Sequence, residues 1–352
     1  MHSLSRRSRW LVVGAIAGVC ALIPGTAMAG WGPAGQSNGS KTETGGGQSG
    51  GSLVSMVRFS GATSGGGGKR GGTGNVTPVS DWTPPACWYE PRTAQEFSTY
   101  MENMYNETIN TPGQHSYAKA AVGMMRQDYK DGTYKNYNLD KADEGTWWVA
   151  VRDEDRWMEP EAQVCNKMPF WVKNGEPPNV PNAVTPQVLA ELAYNRIHLP
   201  DTEVSLAPAD VTKVNLATWA WLDRTRFQPV QVTARLNVGG VDIQATTTAK
   251  PVSLKLEPGT PDAETYPASG ECRFGADGSI GEQYARGKAD RTPPCGLKYL
   301  RSSGNGTYQL RATVTWQITW TGTGNPGAHD LPDGTFGHTQ NVKVQEIQSV
   351  NR

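Results

Sequence analysis

Residues 308–320 read YQLRATVTWQITW, in which apolar or aromatic side chains alternate strictly with polar ones. Successive side chains of a β-strand point to opposite faces, so the pattern predicts a strand with one buried face and one solvent-exposed face. At roughly 3.3 Å per residue the strand would run about 43 Å, far longer than most strands, so we expect a bulge within it. This strand is expected to be the central strand of a β-sandwich.

Shorter runs of the same kind occupy much of the chain after residue 200. In the clearest case, residues 230–238 alternate, Gly239-Gly240 follows, and a second run starts at Val241. Two such runs joined by Gly-Gly predict a hairpin, because both turn positions need positive φ. Further strands are expected at 203–206, 211–216, 218–222, 252–256 and 341–350. About seven strands favour an immunoglobulin-like sandwich, with Tyr308 placed for a tyrosine corner and a long loop over 258–303.

Residues 81–199 have helical signals instead. Thr93 and Glu96 form a capping box before a helix expected at 94–109. A second helix is expected at 116–129 with Tyr117, Ala120 and Met124 on one side, and a third after Pro186. Only residues 146–151, TWWVAV, indicate a strand. The predicted fold class is therefore α+β multidomain, with an α-rich domain at 81–199 followed by an all-β Ig/PKD-like sandwich at 200–352.

The N-terminal region predicts export. Residues 1–29 combine three arginines, a 13-residue apolar core at 11–23 and the small-residue site Ala27-Met28-Ala29, which is typical of a signal peptide of the general or twin-arginine type. The core is too short to span a membrane. Residues 30–80, rich in glycine, serine and threonine, are expected to be a disordered tether. Within the tether, the apolar run at 53–59 predicts either a docked extra strand or a segment that pairs with the sheet edge of a partner.

Charge and cysteine content narrow the function classes. The 352-residue chain has 33 basic and 33 acidic residues, and removal of the leader leaves a net charge of −3. This balance argues against nucleic acid or an anionic membrane as partner. Four cysteines remain after cleavage, and no close CxxC pair suggests zinc, so we expect two disulfides and no metal or cofactor. Three connectivities are possible, of which chain order favours Cys87–Cys165 and Cys272–Cys295.

One cluster raises the question of catalysis. Five acids, Asp153, Glu154, Asp155, Glu159 and Glu161, are close in sequence to Trp157, Phe170 and the candidate ligand contacts Trp147, Trp148 and Trp171. A glycoside hydrolase needs two carboxyl groups near an aromatic platform. However, nothing in the spacing selects two of these acids, and a solvated charged loop beside core aromatics is the favoured interpretation. No catalytic residue is assigned.

Three motifs carry a resemblance to a known group. Residues 214–223 read VNLATWAWLD, residues 295–303 read CGLKYLRSS, and residues 342–348 read VKVQEIQ. With the long strand, they resemble a group of uncharacterised secreted actinobacterial proteins that have a PKD-like C-terminal domain, over residues 184–352. Members usually carry a Gly-Asp-Gly turn and a histidine two residues after the second cysteine. This chain has Glu257-Pro258-Gly259 and Leu297 there. The resemblance implies a sandwich fold and no enzymatic activity.

The expected function is that of a secreted, non-enzymatic binding, adhesion or cell-envelope protein, free or wall-associated, whose partner is an envelope protein or glycan. The alternative is a carbohydrate-active hydrolase with its acids in residues 153–161. The two differ in what the folded chain must provide. A hydrolase needs a cleft with two carboxyl groups about 5–9 Å apart, whereas a binding protein needs an exposed aromatic patch or a free sheet edge.

Overall fold

The computed structural model describes residues 55–61, 73–209 and 211–347. Of these residues, 41% are in strands and 18% in helices. The predicted signal peptide at 1–29 and most of the predicted tether at 30–80 lie outside the described residues, as does the end of the strand predicted at 341–350. Within the described ranges, no helix has both the length and the apolar character needed to cross a membrane.

The strands are numbered in chain order. They are β1 Arg58–Gly61, β2 Thr73–Asn75, β3 Thr77–Pro78, β4 Cys87–Arg92, β5 Gly145–Arg152, β6 Phe170–Lys173, β7 His198–Pro200, β8 Ser205–Ala207, β9 Val211–Lys213, β10 Ala217–Trp221, β11 Val230–Val238, β12 Val241–Glu257, β13 Ala263–Tyr266, β14 Glu271–Arg273, β15 Gly296–Tyr299, β16 Tyr308–Gly322 and β17 Asn325–Gln345. The α-helices are α1 Ala94–Asn110, α2 Ser116–Lys130 and α3 Pro186–Tyr194, and short 3-10 helices cover Asn136–Lys141 and Pro160–Gln163.

The largest sheet has the strand order β1-β11-β12-β16-β17-β3, with β14 also paired to β12 and β9 paired in parallel to β17. Its long strand β16 confirms the predicted alternation. From Leu310 to Trp320 one parity is buried, and the other faces solvent or is half-buried. The predicted bulge is also present, as register shifts at Trp316/Ile318 and Trp320/Gly322. Tyr308 donates its hydroxyl hydrogen bond to the Ser302 carbonyl at 3.0 Å, the backward bond expected of a tyrosine corner.

The hairpin of β11 and β12 is formed as predicted, with φ of 57° at Gly239 and 80° at Gly240. Two boundaries differ from the prediction. The strand predicted at 252–256 is the continuation of β12, because a register shift between Pro251 and Ser253 lets one 17-residue strand pass the proline. The last strand, β17, begins at Asn325 and forms a long hairpin with β16.

A second sheet is built partly from the predicted loop at 258–303. Its order is β13-β15-β10-β8, and with the main sheet it gives a β-sandwich-like arrangement. The loop contributes β13 and β15 to this sheet and β14 to the main sheet. Strands of three or four residues are too short to show a period in the sequence, which is why the segment was predicted as a loop.

The predicted fold class is wrong. Residues 81–199 are not an α-rich domain, because β4, β5 and β6 form a three-stranded antiparallel sheet there alongside the helices. All six residues of β4 are buried, so its sequence CWYEPR has no alternation, and it contains two charged residues and a proline. These features concealed the strand, since charged residues and proline are depleted in strand interiors. The α1 prediction is confirmed, including both hydrogen bonds of the capping box.

Helix α3 packs on the main sheet, against β11, β12 and β16. On the face of β12 that includes Thr247, the small side chains Ala245, Thr247 and Ala249 are all fully buried. Thr247 donates a hydrogen bond from its hydroxyl to the Ala190 carbonyl at 2.8 Å. Small residues let the helix backbone approach the sheet closely, and the hydroxyl bond fixes its position.

A buried ion pair between Glu90 and Arg92 binds the segment at residues 55–56. The Glu90 carboxylate, with 0% of its side chain exposed, lies 2.6 Å from the Arg92 guanidinium. It also accepts hydrogen bonds from the Trp88 indole at 3.0 Å, the Met56 amide at 2.7 Å and the Ser55 hydroxyl at 3.1 Å. Just beyond Met56, β1 pairs antiparallel with β11. The docked-strand interpretation of this segment is therefore confirmed for the residues that are described.

We expect Glu90→Gln to lower the free energy of unfolding by about 3 kcal/mol, because it removes the buried charge beside Arg92. The NH2 group of glutamine would also face N–H or O–H groups that now donate to the carboxylate. Because two donors cannot bond to each other, at least one of these hydrogen bonds would be lost. Urea denaturation followed by tryptophan fluorescence measures the change.

The matched control is Glu257→Gln, which removes a carboxylate 3.9 Å from Arg311 in a pair where Glu257 is 54% exposed. Exposed pairs contribute little, so the control should cost less than about 0.5 kcal/mol. Equal losses in the two variants would contradict a special role for the Glu90 pair.

Candidate functional site

The three tryptophans predicted as ligand contacts do not form a surface platform. Trp147 has 0% exposure and Trp148 has 5%. Trp147 stacks on Phe97 with ring centroids 4.4 Å apart, and its indole donates a hydrogen bond to the Tyr137 carbonyl at 2.8 Å. Trp171 is half-buried and meets Trp147 edge-on. Trp147 and Trp148 are thus core residues in this fold, and Trp171 alone of the three reaches the surface.

The acids predicted beside them lie on the turn that follows β5. The Asp153 carboxylate accepts a hydrogen bond from the Asp155 amide at 3.0 Å and so shapes the turn. Glu159 is held by the Arg156 guanidinium at 2.7 Å, and Arg156 also donates to the Pro84 carbonyl at 2.6 Å. One acid shapes the turn and a second is paired with an arginine, so these two carboxylates have structural partners.

The segment from 153 to 169, called here the disulfide loop, connects β5 to β6 and is fastened along its length. The Cys87–Cys165 disulfide ties it to the start of β4, with Cα atoms 6.0 Å apart. Arg152 donates to the Ala162 carbonyl at 2.9 Å, and Gln163 donates to the Trp157 carbonyl at 2.8 Å. The backbone of the loop is therefore held on both sides of its exposed residues.

The disulfide loop leaves four large apolar side chains in solvent. We call them the apolar patch: Trp157 at 43% exposure, Met158 at 76%, Val164 at 60% and Met168 at 45%. The loop contains five acids and two bases, so the patch lies in an acidic setting. Single exposed apolar residues are ordinary, whereas exposed apolar side chains that adjoin one another mark interaction sites.

The burial of Trp147 and Trp148 has a signal in the sequence. The run TWWVAV has no polar residue after its first position, which is typical of a strand buried on both faces and could have placed Trp147 and Trp148 in the core. Trp157 and Met158 stand between charged residues and before Pro160, outside any helical or strand period. That context was the available signal that they would be exposed.

The second disulfide, Cys272–Cys295, borders a surface cavity of about 560 Å³. The cavity is lined by Pro267, Ser269, Glu271, Cys272, Arg273, Gly275, Ser279, Gly281, Pro294 and Cys295. None of the acids from 153 to 161 lines it, so this cavity does not supply the cleft that the hydrolase alternative needs. In the part of the chain that is described, no group of three or more His, Cys, Asp or Glu residues is placed to hold a metal ion.

Next to the aromatic core, Glu102 of α1 joins three elements. Its carboxylate lies 2.8 Å from both Arg126 and Lys130 of α2, and it accepts a hydrogen bond from the Tyr137 hydroxyl at 2.7 Å. Burial alone would raise the pKa of Glu102, but the bonds from Arg126, Lys130 and Tyr137 together lower it from 4.5 to about 2. The ionised carboxylate is thus a structural part of the helix pair.

Comparison of the chain with protein-family models, with curated proteins and with solved structures finds no match. The class of protein is therefore defined here by its fold and its candidate site alone. This is a predominantly β protein with two disulfides and an apolar patch exposed on a fastened loop.

We expect Glu102→Gln to cost about 1–2 kcal/mol of stability at pH 7, the usual range for hydrogen bonds to a charged group after allowance for partial exposure. Because the folded-state pKa is depressed, this contribution is complete above about pH 4.5 and is lost as the pH falls towards 2. Urea denaturation of both proteins at pH 7 and pH 2 measures it, and a difference that persists at pH 2 would contradict the assignment.

We expect the double variant Cys87→Ser, Cys165→Ser to lose about 4 kcal/mol of stability, since its disulfide closes a loop with a sequence separation of 78. Amide hydrogen exchange should rise within the disulfide loop. The control, Cys272→Ser with Cys295→Ser, should leave exchange in that loop unchanged. Similar exchange in both variants would show that the disulfide does not fasten the loop.

Proposed function

We propose that the protein is exported and acts as a non-enzymatic binding protein of the cell envelope or exterior, with the apolar patch as its contact surface for a protein partner. The observation that carries the proposal is the exposure of Trp157, Met158, Val164 and Met168 on a single fastened loop. Keeping these side chains in water has a free-energy cost, which a partner that covers them would remove.

The residue types suit recognition. Tryptophan is enriched among the residues that dominate binding energy, and methionine adapts its shape to an irregular partner surface. Because the disulfide and the hydrogen bonds already order the backbone, binding would cost little loop entropy. The acids around the patch favour a partner with basic residues around an apolar centre.

Binding is favoured over hydrolysis of glycans. A hydrolase would need two carboxyl groups facing one cleft. Here Glu159 is paired with Arg156, Asp153 shapes its own turn, and Trp147 and Trp148 are in the core.

Two disulfides support export, because such bonds persist in oxidising compartments. The mass of the native protein, measured before and after thiol alkylation, tests this part of the proposal. We expect a chain without residues 1–29 whose cysteines do not react until a reductant is added. A chain with four reactive thiols and an intact leader would refute export.

Site-specific photocrosslinking in the native cells tests the binding surface. A photoreactive phenylalanine derivative replaces Trp157 in one protein and Ile347 in the other. Ile347 is 77% exposed and lies outside the disulfide loop. We expect a discrete protein adduct at position 157 that disappears when Met158→Asp is added.

Adducts of equal yield at positions 157 and 347, or none at 157, would overturn the proposed surface. Release of reducing sugar ends from wall glycans by the purified protein, abolished in Glu159→Gln, would overturn the non-enzymatic function.

A further inference from the structure

Strand β14 lies at an edge of the main sheet. It pairs antiparallel with β12 and with no other strand among those described. Cys272, its middle residue, lies opposite Leu254 of β12. One long side of β14 therefore has no neighbouring strand, and the main-chain groups on that side are available to a ligand.

The two charged residues of β14 direct their main-chain groups to this open side. On either side of the strand, Gly270 accepts a hydrogen bond from the main chain of β12 at 2.8 Å, and Phe274 donates one to it at 3.2 Å. Hydrogen-bonded and non-bonded pairs alternate along antiparallel strands. Cys272 therefore bonds to β12, whereas the amides and carbonyls of Glu271 and Arg273 point away from it.

Three of these four outward groups lack a partner. The Glu271 amide donates to the Ser269 hydroxyl at 3.2 Å. The Glu271 carbonyl and the Arg273 amide and carbonyl have no hydrogen-bond partner in the described parts of the chain. An extended peptide beside β14 would supply one carbonyl and two amides at the spacing of a neighbouring strand.

The open side of β14 borders the cavity of about 560 Å³. All three residues of β14 line this cavity, together with Pro267 and Ser269 before the strand and Pro294 beside the disulfide. The Cys272–Cys295 disulfide joins the two parts of the chain that form the lining. The volume lies within the roughly 300–1,000 Å³ of ligand sites and suits a short segment of chain.

We propose that this cavity binds a short extended peptide, which pairs antiparallel with β14 and adds a strand to the main sheet. The peptide has an acidic, an apolar and a basic residue in that order. Antiparallel pairing is the more stable form per residue. The site is separate from the apolar patch and does not depend on the function proposed for that patch.

The charges of β14 select the two outer residues of the peptide. Glu271 and Arg273 are exposed. Lys255 lies opposite Glu271 on β12, yet neither charged residue of β14 forms an ion pair with any described residue. In antiparallel pairing, the peptide residue opposite Arg273 comes two positions before the one opposite Glu271. Opposite charges across a strand pair stabilise it, so the first residue is acidic and the second is basic.

The disulfide selects the middle residue of the peptide. Residues directly opposite each other direct their side chains to the same face of a sheet. The middle residue lies opposite Cys272, which is 3% exposed and in the cavity lining. Its side chain would therefore approach the disulfide and Pro294, where an apolar side chain such as that of valine removes nonpolar surface from water.

A titration of the isotope-labelled mature chain with the peptide acetyl-Thr-Glu-Val-Lys-Thr-amide, followed by NMR, tests the site. We expect the main-chain amide signal of Arg273 to shift, with a dissociation constant of about 1 mM, because each exposed bond and charge pair contributes little. The absence of shifts at about 10 mM peptide, or shifts confined to residues outside the cavity lining, would overturn the proposal.

The control peptide, acetyl-Thr-Lys-Val-Glu-Thr-amide, has the same composition with its two charges exchanged. It should bind about fivefold more weakly, because each charge would lie opposite its own kind. Equal or tighter binding of the control peptide would refute the antiparallel arrangement.

Variants at Arg273 test the site from the side of the protein. Arg273→Glu should bind the first peptide about fivefold more weakly and should prefer acetyl-Thr-Lys-Val-Lys-Thr-amide. Lys250→Glu reverses a charge at an exposed position of β12 outside the cavity lining and should leave both affinities unchanged. Equal effects of the two variants would contradict the proposed pairing.

Arg273→Pro tests the main-chain contact. Proline removes an amide that does not bond to β12, and it is tolerated on the outer side of an edge strand, so the chain should remain folded. We expect it to abolish binding of both peptides, whereas Arg273→Ala, which keeps the amide, should only weaken binding. Binding that is equal in the proline and alanine variants would show that the main chain of β14 does not hold the peptide.

Discussion

Strand β16 has one apolar face, which must be buried along its whole length. The other elements of the main sheet are arranged around this strand. Leu310, Ala312, Val314, Trp316 and Ile318 of this face are all fully buried. Complete burial of an aliphatic or aromatic side chain contributes about 1.5–3 kcal/mol, so the face is a large source of stability. β12 and β17 pair on either edge of β16, and α3 also contacts it. A break in its alternation would expose the core directly.

This dependence explains which elements could be predicted from the sequence. In three elements the local sequence pattern matches the structure that the element adopts. They are strand β16, the Gly239-Gly240 hairpin and the capped helix α1. Strand β4 shows no such match, because Glu90 and Arg92 are buried as a pair and Pro91 lies within the strand. The burial of these charges depends on Ser55 and Met56, which are distant in sequence and approach only in the folded chain. No local pattern contains that information, and the α-rich prediction failed there.

The candidate surfaces show the same limit in a different form. Helical periodicity gives the positions that share a face, but α2 has apolar residues on both faces. The contacts of Tyr129 with Phe97 and Trp147 decide which face is buried. Likewise, the sequence contains Trp147, Trp148 and Trp157 within eleven positions, yet two are core residues and one is exposed. Exposure depends on packing between residues that are distant in sequence. The exposed residues of the candidate site could therefore be identified only from the structure.

Helix α2 and the disulfide loop are connected physically. The Tyr129 hydroxyl, near the end of α2, donates a hydrogen bond to the Pro169 carbonyl at the end of the disulfide loop, at 2.9 Å. The position of the disulfide loop therefore depends on the packing of α2 against the aromatic core.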